Sequence, residues 1–288
     1  MYVLCVIVGT IWGGRCDRPR GPMTVFPQQL RGGSVRVNQS ECDGNPKWGR
    51  HHDGLQLATG QNLEDAVIIE RFFRGGPLDL YNGTFVEMGA LDGVVFSNTL
   101  LLEHCLGWNG LLIEAQPASA VRLYENRPCA MKYAGGACAR PQRHMQMTLA
   151  EGTARVVASD SPLPHVTVPC APLSELFSMH GLKRINFFSL DVEGSELNVL
   201  QTIDWDVVQI DVLMVETDFN ARDKQEAYRR TTRVRAYLAK HGMVRVNPSP
   251  CTTPCQRNNQ IIQPAMLGIT GSDVYVGNPE LLAYDTTI

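Results

Sequence analysis

Beyond residue 60 the chain switches repeatedly between two hydrophobic periods, and the switching predicts its elements. Residues 62–73 (NLEDAVIIERFF) place apolar side chains at helical spacing and end at Gly75-Gly76-Pro77, so they predict an amphipathic helix with a sharp stop. Short apolar runs bounded by Gly, Asn and Asp then predict strands at 84–88, 110–114 and 129–135, with helices near 97–105 and 117–126 between them. Residues 153–159 and 165–169 read as a β-hairpin turned by Ser-Asp-Ser-Pro. A short helix over 172–180, a strand at 185–190, a helix from Ser195 and a strand at 211–216 follow. A basic helix to about Lys240 and strands near 243–247 and 273–276 close the series. Alternation of this length predicts an α/β fold: one open, mainly parallel sheet with helices on both faces.

The first 60 residues lack this pattern. Residues 13–60 are rich in Gly, Arg, Pro, Asn and Asp without periodicity, which predicts a linker or extended arm. Residues 1–12 (MYVLCVIVGTIW) are apolar but carry no Lys or Arg ahead of the run, and they are too short to span a bilayer comfortably. They read either as a secretory signal or short anchor, or as a start-site artefact or ordinary strand. Membrane association and a secretory-pathway location follow from the first reading, a cytoplasmic one from the second. The chain thus divides into an N-terminal apolar segment and irregular arm, 1–60, and a folded domain, 61–288.

Composition changes this picture little. A hydrophobic content of 44% and a charged content of 19% belong to an ordinary globular protein, and a net charge of −3 gives no electrostatic case for a nucleic-acid partner. The basic run over 221–240 reads as a solvated helix face. Of nine cysteines, Cys105, Cys129 and Cys170 fall in predicted core elements and read as small hydrophobes. Cys251 and Cys255 share a Pro-rich loop and could pair or stay reduced. The histidines show no metal-ligand spacing, and no G-x-S-x-G elbow supports hydrolase chemistry.

Three constellations could carry chemistry. TFVEMGALDG (84–93) reads as a strand running into a glycine turn, and Asp92 lies 22 positions before Glu114, the acid ending the next strand. Such a turn lets backbone approach a ligand closely, and an acid at that spacing can take two ribose hydroxyls, which makes a nucleoside half-site. SLDVEGSE (189–196) places Asp191 at the carboxyl edge of the sheet, where a carboxylate can orient a hydroxyl, accept its proton or hold a metal. Helix capping by Asp191 or Ser195, with Glu193 and Glu196 favouring the helix dipole, accounts for the same residues. Glu216-Thr217-Asp218 ends the next strand at that edge, either as part of a cation site with Asp191 or as an acid orienting another group.

With those residues in view, the chain resembles the FkbM-type methyltransferase family. FVEMGALDGVVFSNTLLLEHCLGWNGLLIEAQP (85–117) and RINFFSLDVEGSELNVLQTIDW (184–205) carry the resemblance, in that order. It implies a class I, Rossmann-like, seven-stranded sheet with one antiparallel strand near its edge, and S-adenosylmethionine as cofactor. Glu87, Gly89, Ala90, Asp92 and Gly93 match the cofactor loop, and Glu114 the ribose-binding acid. Asp191 and Glu193 match the DVEG positions facing the transferred methyl. Asn98, in the SNT element, would meet the methionine part or cap its helix. Gly135-Gly136-Ala137-Cys138 departs from the small-polar segment expected at the adenine, and a substrate-binding insert would have to lie in 139–170.

Methyl transfer from a sulfonium needs alignment more than acid chemistry. A hydroxyl acceptor needs a carboxylate to take its proton, for which Asp191 is the candidate, with Glu193 orienting Asp191 or the acceptor. The resemblance therefore implies O-methylation of a hydroxyl on a sugar, glycan or other small molecule. The same motifs are similar to those of the invertebrate Star-type proteins, membrane-anchored trafficking factors whose methyltransferase-like domain need not catalyse. A dinucleotide-binding oxidoreductase is a third reading, opposed by the DVEG block and the missing third fingerprint glycine.

Overall fold

The computed structural model describes residues 23–25, 35–37, 59–61, 64–73, 82–150, 152–217, 223–246, 255–257, 260–262 and 272–281. The readings made for residues 1–12, for Asp218 and for a Cys251–Cys255 pair lie outside these residues. Within the stretch read as an irregular arm, Met23–Val25 and Val35–Val37 pair antiparallel. Among the described residues no helix is long and apolar enough to cross a membrane.

The domain opens with α1 (Glu64–Ile68), which widens into a π-helical turn over Ile69–Phe73. Then come β1 (Thr84–Met88), α2 (Leu100–Leu106), β2 (Asn109–Glu114), α3 (Pro117–Asn126) and β3 (Met131–Ala134). An inserted group follows: β4 (Gly136–Ala137), β5 (His144–Thr148), β6 (Val156–Val157) and β7 (His165–Ala171). The chain continues through α4 (Leu173–Met179), β8 (Arg184–Leu190), α5 (Glu196–Leu200) and β9 (Gln209–Glu216), then α6 (Lys224–Lys240), β10 (Val244–Val246) and β11 (Ser272–Val276).

Seven of these strands form one sheet in the order β10-β11-β9-β8-β1-β2-β3. β11 runs antiparallel to both its neighbours, and the inner strands are parallel, so the sheet is mixed with one reversed strand next to its edge. Because successive side chains point to opposite faces, each central strand feeds two cores. Val86, Phe188 and Leu190 pack against Leu176 and Phe177 of α4, Val199 of α5 and Leu238 of α6. Phe85, Phe187 and Val212 pack on the other face with Phe73, Leu102 and Leu123. In α6, Ala227, Thr231, Val234 and Leu238 form the buried stripe, while Asp223 caps the helix by accepting from Gln225 N and Glu226 N.

Trp108 anchors the second core. It is 1% exposed and meets Phe73 edge-on with ring centroids 4.8 Å apart. Gly83 makes room for it, since a Cβ there would lie 2.5 Å from the indole. Trp108→Ala should cost about 3–5 kcal/mol in urea unfolding, through lost burial and the cavity left behind; a loss under ~1 kcal/mol would show that the core refills.

The predicted hairpin of 153–159 with 165–169 does not form. β5, where the sequence pattern marked no strand, pairs antiparallel with both β6 and β7, and β7 pairs parallel with β4, giving a second sheet ordered β4-β7-β5-β6. The reason is burial: Met145 and Met147 alternate with Gln146 and supply the apolar face that the hairpin lacked. The cysteines also differ from expectation. Cys170 is bonded to Cys138 in a disulfide, tying β7 to the end of β4, and Cys129 is disulfide-bonded as well. They staple the insert and the β3 approach where their burial alone suggested packing.

Candidate active site

The parallel strands end on one side of the sheet, around a cavity of about 980 Å³ that Gly89, Glu114, Asp191, Glu193 and Glu216 all line. Gly89 has φ +86°, and a Cβ on it would stand 1.8 Å from the Asp191 carbonyl oxygen. Only glycine lets the ends of β1 and β8 come this close, and Asp191 N completes the contact by donating to Met88 O at 3.0 Å. Gly93, at φ +79°, clears Leu123 and Arg127 in the same way.

The amides of this turn are spent within the protein. Gly89 N and Ala90 N both donate to Ile113 O, Gly93 N to Ala90 O, and Leu91 N to Glu114 Oε2 at 2.8 Å. Asp92 Oδ1 accepts from Val94 N and Val95 N. The glycines therefore supply close approach, and the amides of Gly89, Ala90, Leu91 and Gly93 are not the ligand donors expected from such a turn. The helix itself begins only at Leu100.

Glu87 holds the next loop. Its carboxylate accepts from Ser97 Oγ at 2.8 Å, Asn98 N at 2.7 Å and Thr99 Oγ1 at 2.6 Å. Burial raises its pKa, opposed by the Arg127 charge and these donors. Thus Glu87 acts on Asn98 by holding its backbone. Asn98 Nδ2 then donates to Ser189 Oγ at 3.2 Å, leaving Asn98 Oδ1 buried without a partner among the described residues.

Arg127 has no counterpart in the sequence reading. It is fully buried and donates to Glu103 Oε2, Gly93 O, Ser97 Oγ and Thr99 Oγ1, joining the glycine turn to the 97–99 loop. The only signal was an arginine at the end of a helix just before a strand, a weak one.

Glu114 stands where the β2 acid was expected, 8% exposed, accepting from Gln116 N at 2.6 Å as well as from Leu91 N. Each carboxylate oxygen keeps a lone pair for a further donor. Burial pushes its pKa up to about 7, with the nearby Asp191 charge adding to the rise. Burial also lifts Asp65 from 3.8 to about 7. Folded-state pKa values above the unfolded ones mean that the native state binds more protons, so this stability is full at low pH and fades as pH rises through about 7. The ligand-free protein should therefore lose thermal stability between pH ~5 and ~8, with a shallower loss in Glu114→Gln. A flat melting profile across that range would refute it.

At the edge, Asp191 and Glu193 are exposed to the cavity, and Glu193 holds φ +54°. Ser195 makes no side-chain cap, and it is Glu196 that gathers the loop, accepting from Val192 N and Gly194 N. No side chain caps this helix, and Asp191 lines the cavity. Burial, then the Asp191 charge and a hydrogen bond to it, drive the Glu216 carboxyl far above its usual range. The rise favours the protonated form of the Glu216 carboxyl, which is hydrogen-bonded with Asp191. Among the described residues no three acids, histidines or cysteines gather as a metal site.

One further stretch of the wall is apolar, built by Gly135, Gly136, Ala137, Met145 and Met147. A Cβ on Gly136 would strike Met145 Sδ at 2.2 Å, so the glycines at the departing GGAC segment let the inserted sheet close on β3. These residues fit S-adenosylmethionine. The apolar wall suits the adenine, Glu114 the ribose hydroxyls, and the orphaned Asn98 Oδ1 the ammonium of the methionine part.

A family model described as the methyltransferase FkbM domain matches residues 87–244, more than half the chain. Among curated proteins no sequence matches. Solved structures with a similar course include an O-methyltransferase from Bacillus cereus in complex with SAH, at 9% identity and TM-score 0.41, covering 83% of this chain and 92% of that one. A Haloferax volcanii putative methyltransferase complexed with the Trm112 activator follows at 11% and 0.38, covering 85% and 99%. The precorrin-6y C5,15-methyltransferase from Geobacter metallireducens matches at 14% and 0.35, covering 76% and 89%. These likenesses are too distant to carry argument, which rests on the family match and on the strand order seen here. The chain belongs to the FkbM methyltransferase domain family, a family of S-adenosylmethionine-dependent methyltransferases.

Proposed function

We propose that this protein transfers a methyl group to a hydroxyl of a sugar or similar small molecule, with Asp191 as the base. The observation that carries this reading is the placement of Asp191 beside Glu216 at the cavity edge, against the glycine turn. Bound S-adenosylmethionine supplies an electrophilic methyl on a sulfonium. Asp191 Oδ accepts the proton of the acceptor hydroxyl as that oxygen takes the methyl. Glu216, by donating to Asp191, fixes which oxygen of the carboxylate is turned to the acceptor. Exposed Glu193, held on a strained backbone, orients the acceptor. The apolar wall, buried Glu114 and half-buried Asn98 keep the cofactor aligned, which is most of the work in a displacement of this kind.

The test is calorimetric titration of the full chain with S-adenosylmethionine beside Glu114→Ala, followed by an acceptor screen read as S-adenosylhomocysteine release. Micromolar binding lost in the variant, together with release dependent on a hydroxylated acceptor, supports the reading. No binding at millimolar cofactor sinks it and turns attention to a non-catalytic trafficking domain. A membrane contact through the N-terminal segment belongs to that alternative.

A further inference from the structure

Beside the main cavity lies a second cleft of about 470 Å³. Ala139 and Gln201 line both, so they form the ridge that the cleft shares with the main cavity. Its floor is aromatic. The Trp205 indole stacks on His241 with ring centroids 5.1 Å apart and 22° between planes, and Tyr237 joins them at 6.4 Å and 4.6 Å. Their polar atoms are partly satisfied within the protein: Trp205 Nε1 donates to Tyr237 OH, which donates to Leu200 O. The three rings line the cleft together with its polar groups. Around it stand exposed Asp204 and Asp206 together with Arg140, whose guanidinium pairs with Glu175.

An aromatic ledge rimmed by carboxylates and a guanidinium has a particular chemical complement. A pyranose ring offers an apolar C–H face to an aromatic and vicinal hydroxyls to flanking acceptors and donors. A purely apolar ligand would leave the acidic rim unmatched. An acidic sugar would meet Asp204 and Asp206 here and Asp191, Glu193 and Glu216 at the neighbouring site. The rim therefore selects for neutrality, because like charges in a partly desolvated cleft repel.

We propose that this cleft is an outer subsite of the acceptor channel, binding one ring of a neutral oligosaccharide while a neighbouring ring lies at Asp191. This rests on the hydroxyl-methylation reading and narrows it: the acceptor is an extended neutral glycan, and Gln201 sits where the chain crosses the ridge.

The subsite can be tested without turnover. The full chain, saturated with S-adenosylhomocysteine, is applied to an array of neutral and uronate- or sialate-bearing oligosaccharides, beside Asp206→Ala/His241→Ala and Trp205→Ala. Both residues of the double variant are exposed, so its fold is not at issue, and melting curves check the tryptophan variant. Binding confined to neutral oligosaccharides, and weakened at least ~10-fold in both variants, is the expected result. No binding of neutral glycans by the parent protein, or equal binding by the variants, overturns the subsite. If glycans bind through this cleft but release no S-adenosylhomocysteine product when the methyl donor is supplied, the subsite stands and the methylation reading falls.

Discussion

Asp191→Asn lowers kcat for methyl transfer by about 10²–10⁴-fold, while S-adenosylmethionine affinity stays within about threefold of the parent. The amide is nearly isosteric but cannot accept the hydroxyl proton at the moment the oxygen is methylated. Cofactor binding survives because Glu114, Asn98 and the glycine turn lie on β2 and the loops after β1, and Asp191 meets the turn through its backbone. Glu216→Gln separates base from positioning: its amide can still donate to Asp191, so turnover falls by only about tenfold. It also removes the shared proton, so the pH–rate profile shifts where a merely structural role would leave it in place. An Asp191→Asn enzyme with kcat within threefold of the parent would exclude Asp191 as the base.

Arg127→Ala should cost about 3–5 kcal/mol in urea unfolding, comparable to losing Trp108. The guanidinium is fully buried, and its donors go to Glu103, the Gly93 carbonyl, Ser97 and Thr99. Removing it strands the Glu103 carboxylate and takes away the positive charge that offsets the burial of Glu87. Arg127→Lys recovers little, because one ammonium cannot reproduce a planar fork serving partners on several sides. Since Glu87 and Arg127 together hold the 97–99 loop, any folded fraction of Arg127→Ala should bind cofactor weakly through a misplaced Asn98. A stability loss below ~1 kcal/mol would mean that the network is dispensable.

Gly89, Glu114 and Asp191 were legible because each sits at a strand end, and period-2 apolar runs mark strand ends well. The roles of their neighbours were not. Glu87 reads like a ligand-facing acid in sequence, yet three donors from residues 97–99 take its carboxylate. Glu196, four residues before Leu200, reads as a dipole-favouring acid, and it gathers the loop that follows Asp191. Such assignments depend on which groups meet across long sequence separations, and local pattern carries no term for that.

What the chain by itself determined is the order of its strands and helices, the glycine turn and the acids at the strand ends, because these follow from side-chain period and from the backbone freedom of particular residues. Tertiary structure alone decided the insert's pairing through β5, the Cys138–Cys170 bridge, the burial of Arg127, the approach of Glu216 to Asp191, and the aromatic cleft beside them. Each of these depends on distance and desolvation between residues far apart in sequence, and those quantities come into being only when the sheet closes.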